Sequence, residues 1–460
     1  MTHPINRDNK RLQRKKVYIE THGCQMNVSD SERVATKLAQ SGYEIVGSDN
    51  EAEIVLLNTC SVRERAELKL FTRVGELSDK KRRVVKPLIG VLGCVAQLEG
   101  DNLFDKTANI DFVLGTRAVG RIDQMLDEIN LESEKEIEKI DVGEREEGYD
   151  WSVADDYRNS KYVAFVPIIE GCNKFCTYCI VPFSRGREQS LPPERILDHI
   201  KQLKRAGIKE VHLIGQNVNS YRPRTDLGLE RFHGATPFSR LLRAVAETGI
   251  DRIKFATSFP RDFHTDIVAA INEYENLCNW VHLPVQSGSD RVLRAMRRGH
   301  TAADYLSRVE AIHNSARRIS LTTDIIVGFP GETEEDFRET VDLYEKSQFD
   351  SAYLFKYSPR PGTPSAKLVD SVSPQAKRER FILLETVQKR IQEEKLREYV
   401  GKRVCVLAEN FSAKSRDDLA GHTTCHKVVN FQADKTRLGQ ILDVVITDAK
   451  VNSLRGRVEV

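Results

Sequence analysis

Short apolar runs alternate with amphipathic stretches through the first quarter of the chain. Residues 17–21, 54–57, 88–92 and 112–114 read as strands. Residues 29–40, 63–77 and 119–129 carry apolar positions at helical spacing. Apolar strands alternating with helices predict a parallel sheet covered on both faces, assigned to residues 14–130. Residues 131–160 break the pattern with Glu132, Glu134, Glu136, Glu138, Asp141, Glu144, Glu146 and Glu147. Acidic residues with little apolar periodicity predict a loosely packed linker.

From residue 161 to about 395, strand patterns recur at 163–169, 210–214, 252–256, 280–284, 321–327 and 352–356, with helical stretches such as 193–206 and 333–346 between them. Repeated strand–helix units predict a parallel barrel. Six units, not eight, predict an open one with room inside for a cofactor and a large substrate. A charged helix near 374–399 leads out. Short alternating segments at 403–407, 426–431, 440–446 and 457–460 then predict a small antiparallel barrel over residues 398–460. The fold class is α/β in three parts: a parallel sheet domain, a partial six-unit barrel and a small β-barrel.

The net charge of +2 gives no global preference for nucleic acid, so a nucleic-acid surface must come from local clustering. No run reaches the apolar length that spans a bilayer. The start is basic (Arg7, Lys10, Arg11, Arg14, Lys15, Lys16) without an apolar signal core, which predicts a cytoplasmic protein with no membrane partner. In that compartment the nine cysteines are reduced and available for metal or redox chemistry.

The cysteines are placed with a pattern. Cys172, Cys176 and Cys179 sit at C-x3-C-x2-C spacing directly after a predicted strand. Thiolates are the ligands of iron–sulfur clusters, and a cubane of four irons takes four ligands. Three leave one iron open for a small molecule. Zinc is the rival, but it favours paired C-x2-C halves and closed four-coordination. In the first part, Cys24, Cys60 and Cys94 each follow a predicted strand. Carboxyl ends of parallel strands share one edge, so these thiols are expected to converge on a second three-thiolate site. Gly23 and Gly93 are expected to let backbone approach a bulky cluster there. Cys278 precedes a strand and reads as a core thiol. His422, Cys425 and His426 lack a fourth ligand and read as surface or packing residues. In the last part Lys402, Arg403, Lys414, Arg416, Lys427, Lys435, Arg437, Lys450, Arg455 and Arg457 give a basic inventory, and Phe411 and Phe431 are candidates for stacking on bases. The Arg222-Pro-Arg224 loop is a candidate substrate contact.

The Cys172/Cys176/Cys179 spacing resembles that of radical S-adenosylmethionine (radical SAM) enzymes, in which SAM chelates the open iron. SAM then needs polar partners and a stacking surface at the carboxyl ends of the barrel strands. Tyr178, Gly215, Gln216, Asn217, Thr257, Ser258, Gln286, Asp324, Gly328 and Tyr357 lie at those ends.

The whole chain resembles the radical SAM methylthiotransferase family. The resemblance rests on Thr21-His-Gly-Cys-Gln-Met-Asn27, Leu57-Asn-Thr-Cys-Ser-Val-Arg63, Gly171-Cys-Asn-Lys-Phe-Cys-Thr-Tyr-Cys-Ile-Val-Pro182, Gly215-Gln-Asn-Val-Asn219 and Asn452-Ser-Leu-Arg-Gly456. It implies an amino-terminal cluster domain, a radical SAM core and an RNA-binding TRAM domain. It also implies two 4Fe-4S clusters, on Cys24, Cys60 and Cys94 and on Cys172, Cys176 and Cys179. The implied reaction is methylthiolation of carbon 2 of N6-dimethylallyladenosine next to the tRNA anticodon, with a second SAM as methyl donor. The partners implied are the tRNA anticodon stem-loop and an electron donor, for a chain acting as a monomer. The alternatives are the same chemistry on N6-threonylcarbamoyladenosine or on a ribosomal-protein aspartate, and a non-catalytic iron–sulfur RNA-binding sensor.

Overall fold

A computed structural model describes residues 15–61, 64–81, 87–107, 109–131, 139–144, 153–232, 236–413 and 415–459. The basic start at 1–14 and most of the acidic run lie outside them. The chain forms two compact units, residues 1–158 and 159–460.

In the first unit six strands form one sheet. Their order is Glu44–Ile45, Lys16–His22, Ile54–Thr59, Leu88–Gly93, Phe112–Gly115 and Lys139–Asp141. Every pairing is parallel. The period of two along the strands sends alternate residues to opposite faces. Leu56, Leu92 and Leu114 pack with Val34, Leu38 and Leu126 on one side. Val55, Leu57, Val91 and Val113 pack with Leu70, Val74 and Leu77 on the other. Each such side chain, fully buried, contributes about 1.5–3 kcal/mol, so the central strands fix the sheet.

Two details depart from the sequence reading. Lys139–Asp141, inside the stretch read as a linker, is the sixth strand, and Arg121 Nε holds Asp141 at 2.6 Å. The first helix starts at Gln25, four residues earlier than its apolar pattern, because Cys24 and Asn27 cap it reciprocally.

In the second unit the six expected strands form two parallel three-stranded sheets. Arg252–Phe255, Glu210–Ile214 and Val163–Pro167 make one; Trp280–His282, Ser320–Val327 and Ser351–Lys356 make the other. Among the described residues, the parallel bridge Ile253 to Leu277 and the Ser258 N–H bond to the His282 carbonyl link the two sides. The outer helices start where the sequence supplies caps, as at Thr301 with Asp304 and Thr333 with Asp336. Cys278 is buried, as expected of a core thiol.

Helix Pro374–Arg397 leads to a closed barrel in the order Arg403–Ser412, Ser415–Thr423, Val428–Gln432, Leu454–Val458 and Ile441–Ala449. Its pairs are antiparallel except Val428–Gln432 with Leu454–Val458, which run parallel. Phe431, expected to be available for stacking on bases, is instead fully buried with Val406, Leu419 and Val444 in the barrel core. Its position in the strand points it inward. Phe411 is 47% exposed.

The small barrel sits on the partial barrel through a polar seam. Arg252, at the start of its strand, pairs with Glu210 at 2.8 Å and donates to the carbonyls of His422 and Thr423. His426, in a left-handed backbone conformation, stacks on Trp280 and on His422. Lys427 Nζ reaches Asp350 Oδ1 at 2.7 Å. Burial alone would raise the Asp350 carboxyl, but Lys427 and Lys395 outweigh it and hold it down to about 2. His426 and Cys425 therefore pack, as expected. Lys427 leaves the basic inventory for an internal ion pair.

Candidate metal and cofactor sites

Cys24, Cys60 and Cys94 follow three neighbouring strands whose ends are level: His22 pairs with Thr59, and Thr59 with Gly93. Parallel pairing therefore brings three thiols, distant in sequence, to one edge. Hydrogen bonds to Cys24 and to Cys94, with burial, push the Cys60 thiol far above its ordinary range. Three thiolates so close repel one another, and a bound metal of high positive charge relieves that repulsion.

Two asparagines brace this edge. Asn27 Oδ1 accepts from the backbone N–H of Cys24 at 3.3 Å and from its thiol at 3.3 Å. Asn27 Nδ2 donates to Asn58 Oδ1 at 3.0 Å. Asn58 Nδ2 donates to the Asn27 carbonyl and to Ser31 Oγ, each at 2.9 Å. Gly23 and Gly93 serve this network. A Cβ at Gly23 would strike the Asn27 amide, and one at Gly93 would strike the Asn58 amide. The space a Cβ would take at both positions is filled by the bracing amides, which gives the two glycines a packing role beside the one expected from the sequence. Both asparagines lie within the quoted motifs, but a polar residue beside a cysteine gives no sign of whether it faces in or out.

The second triad lies on the loop after Val163–Pro167 and Ile169–Glu170. Gln216 Oε1 accepts from the Gly171 N–H at 2.5 Å, and Asn217 Nδ2 donates to Cys172 Sγ at 3.0 Å. Thr177 fixes the far side of the loop through the carbonyls of Ala295 and Met296. Phe175, at the tip, is held at φ 47°. Burial pushes the Cys172 thiol up, and burial with the Cys176 charge pushes Cys179 up to about 12. A bound metal would offset the burial that pushes Cys172 and Cys179 up and hold them as thiolates. Among the described residues no cluster of His, Cys, Asp and Glu is preformed for a single metal ion. Each triad offers instead three sulfur donors, one short of a closed four-coordinate site.

The other expected site residues divide into groups. Tyr178 packs with Val292, Met296, Ile326, Phe329 and Tyr357. Burial, then Arg298, Cys176, Cys179 and Asp324, act on its hydroxyl, which places Asp324 in the same electrostatic neighbourhood as the triad. Gln286, at φ 76°, pairs across to the strand carrying Asp324: its N–H donates to the Asp324 carbonyl at 2.9 Å. Thr257, at φ 70°, and buried Ser258 turn the chain beside the Asn217–Val218 loop and the His282 carbonyl. Gly215 packs on Ile169. Gly328 donates to Glu332, itself paired with Arg380, and Tyr357 donates to Ser365 at 3.0 Å. Those last two are engaged by side chains of the loops after their own strands.

One residue at the triad was not read from the sequence. Arg298 is 5% exposed, and its Nη1 lies 3.6 Å from Cys176 Sγ. Its Nη2 donates to the Pro284 carbonyl at 2.6 Å, and its guanidinium lies 4.3 Å from the centre of the Phe259 ring. An arginine in a loop far along the chain carries no local signal of such a contact.

Three family descriptions match the chain: the Radical SAM superfamily over residues 166–344, Uncharacterized protein family UPF0004 over 16–115, and the TRAM domain over 397–458. The chain is 42% identical to the tRNA-2-methylthio-N(6)-dimethylallyladenosine synthase of Syntrophus aciditrophicus (strain SB), covering 97% of this chain and 95% of that relative. It is 41% identical to the protein of the same name from Serratia proteamaculans (strain 568), covering 96% and 92%. Among solved structures, the radical S-adenosylmethionine methyltransferase TsrM from Kitasatospora setae matches with a TM-score of 0.56 at 13% identity, over 77% of this chain and 74% of that one. At that identity the likeness is one of fold.

Proposed function

The chain belongs to the radical SAM superfamily and, within it, to the tRNA-2-methylthio-N(6)-dimethylallyladenosine synthases, and from that membership we propose that it adds a methylthio group to carbon 2 of N6-dimethylallyladenosine beside the tRNA anticodon. The observation that carries the proposal is the pair of thiol triads at strand carboxyl ends. Cys172, Cys176 and Cys179 would hold one 4Fe-4S cluster with SAM at its open iron. Cys24, Cys60 and Cys94 would hold a second. Both donor sets fit: each is all-sulfur, brought together by the fold and braced by buried amides.

The cofactors supply a 5′-deoxyadenosyl radical and a methyl group, which side chains cannot provide for an aromatic carbon–hydrogen bond at neutral pH. The protein positions and shields. The apolar nest around Tyr178 supports a shielding role at the barrel's carboxyl end, and the Tyr178 ring is a proposed stacking face for SAM. Gly215, Gln216, Asn217, Thr257, Ser258, Gln286 and Asp324 are proposed SAM contacts, with Gly328 and Tyr357 holding the strand ends that carry them. On the small barrel, exposed Lys402, Lys435, Arg437 and Arg457 with Phe411 suit a phosphate backbone and an unstacked base. No helix among the described residues is long and apolar enough to cross a membrane. We read the chain as a cytoplasmic monomer served by a separate one-electron donor.

Mass spectrometry of tRNA nucleosides from a strain lacking this gene tests the substrate. The expected result is loss of 2-methylthio-N6-dimethylallyladenosine and accumulation of its unthiolated precursor. An undiminished product contradicts the proposal. Loss of the threonylcarbamoyl analogue, or of a methylthiolated ribosomal-protein aspartate, would redirect it.

A further inference from the structure

Two of the three thiols on the barrel loop meet a buried side-chain N–H from a distant part of the chain. Asn217 Nδ2 lies 3.0 Å from Cys172 Sγ, and Arg298 Nη1 lies 3.6 Å from Cys176 Sγ. Both residues are buried. The Arg298 guanidinium cannot swing away. Pro284 holds one end, and the face of Phe259 lies beneath it. Phe259 is fixed in turn by two hydrogen bonds with Asn219, each 2.8 Å.

The charge is the unusual part. A buried arginine is costly unless an anion matches it. Other buried arginines here have carboxylates: Arg185 has Glu170, Arg252 has Glu210 and Arg380 has Glu332. Among the described residues Arg298 has no carboxylate in ion-pair range, and its Nε has no hydrogen-bond partner. The acidic group it does meet is Cys176, whose sulfur lies 3.6 Å from Nη1. The counter-charge available to it is therefore the set of thiolates that the proposed cluster would create at this triad.

We propose that Arg298 and Asn217 are positioning residues that raise the reduction potential of the cluster held by Cys172, Cys176 and Cys179. The proposal rests on the cluster assignment made for that triad. Reduction adds one negative charge to a thiolate-ligated cluster. A fixed cation and N–H donors to its sulfurs favour the more negative state. Asn217 contributes a neutral donor only, and Arg298 a donor with a full charge, so Arg298 has the larger effect. The benefit is that a milder one-electron donor suffices to reduce the cluster and start the reaction.

The test is a redox titration of the full chain, loaded with iron and sulfide without oxygen and reduced with dithionite. The readout is the EPR signal of the reduced cluster that changes on adding SAM. The variants are Arg298→Gln, Arg298→Lys and Asn217→Ala, with iron per chain measured for each. All three midpoints are expected to fall below that of the unsubstituted chain, with Arg298→Gln falling furthest. At a fixed donor potential its ratio of reduced to oxidised cluster drops by about tenfold, the effect of losing one charge-assisted hydrogen bond. Iron retained with unchanged midpoints in Arg298→Gln and Arg298→Lys overturns the proposal, because a merely structural arginine would move stability and not potential. Should Arg298→Gln fail to load, the Arg298→Lys midpoint decides alone: lowered supports, unchanged overturns. Failure of the unsubstituted chain to bind iron at this triad would overturn the cluster assignment instead.

Discussion

Asn58 makes three hydrogen bonds inside the first unit: it accepts from Asn27 and donates to the Asn27 carbonyl and to Ser31. Asn27 in turn holds both the backbone and the thiol of Cys24. Asn58→Leu keeps the volume but leaves those buried partners unmatched, at a cost of about 1–3 kcal/mol. Chemical denaturation of the variant is expected to show that loss. Iron analysis is expected to show weaker retention at the Cys24/Cys60/Cys94 site, with the barrel site unaffected. Full iron retention at unchanged stability would mean the asparagines do not brace the triad. At this scale the cysteines were legible because thiols at the ends of successive apolar strands form a pattern. Asn58 and Arg298 were not, because their roles depend on which way a side chain points and on partners far along the chain.

Among elements, the long apolar strands emerged from their hydrophobic runs, and those missed had a physical excuse. Glu44–Ile45 is only two residues long, and Lys139–Asp141 is an acidic-run edge strand with exposed or half-buried side chains. Ser415–Thr423 reads Ser-Arg-Asp-Asp-Leu-Ala-Gly-His-Thr, and of its large apolar residues only Leu419 enters the core. The turn after that strand carries the seam to the partial barrel. Lys427→Met would leave Asp350 buried with a weaker set of partners, Lys395 at 3.2 Å and the Leu321 N–H at 3.1 Å. The expected cost is about 3 kcal/mol, read as a lower denaturation midpoint. Replacing both members, Lys427→Leu with Asp350→Leu, is expected to recover part of it, since no buried carboxylate is then left unmatched, while Lys395 and the Leu321 N–H lose their partner. A double variant as unstable as the single one would contradict a paired-charge role.

At the scale of the molecule, the three-part order of sheet domain, open barrel and small barrel followed from strand–helix alternation and its change to short strands after helix Pro374–Arg397. What the alternation could not give was the seam, because charged side chains at strand starts read as solvated until a second surface covers them. Glu210 and Lys254 are each only 1% exposed at the side chain and lie 2.8 Å apart. The proposed function rests at this scale on two separate sulfur sites, one in each compact unit, since neither alone would account for transfer of both sulfur and methyl. Mössbauer spectroscopy with iron and sulfide counting on anaerobically reconstituted full-length chain tests this most directly. Two 4Fe-4S clusters are predicted for the unsubstituted protein and one for each of Cys60→Ala and Cys176→Ala, with methylthio product absent from both variants. A single cluster in the unsubstituted chain, or normal product formation by either variant, would contradict the account.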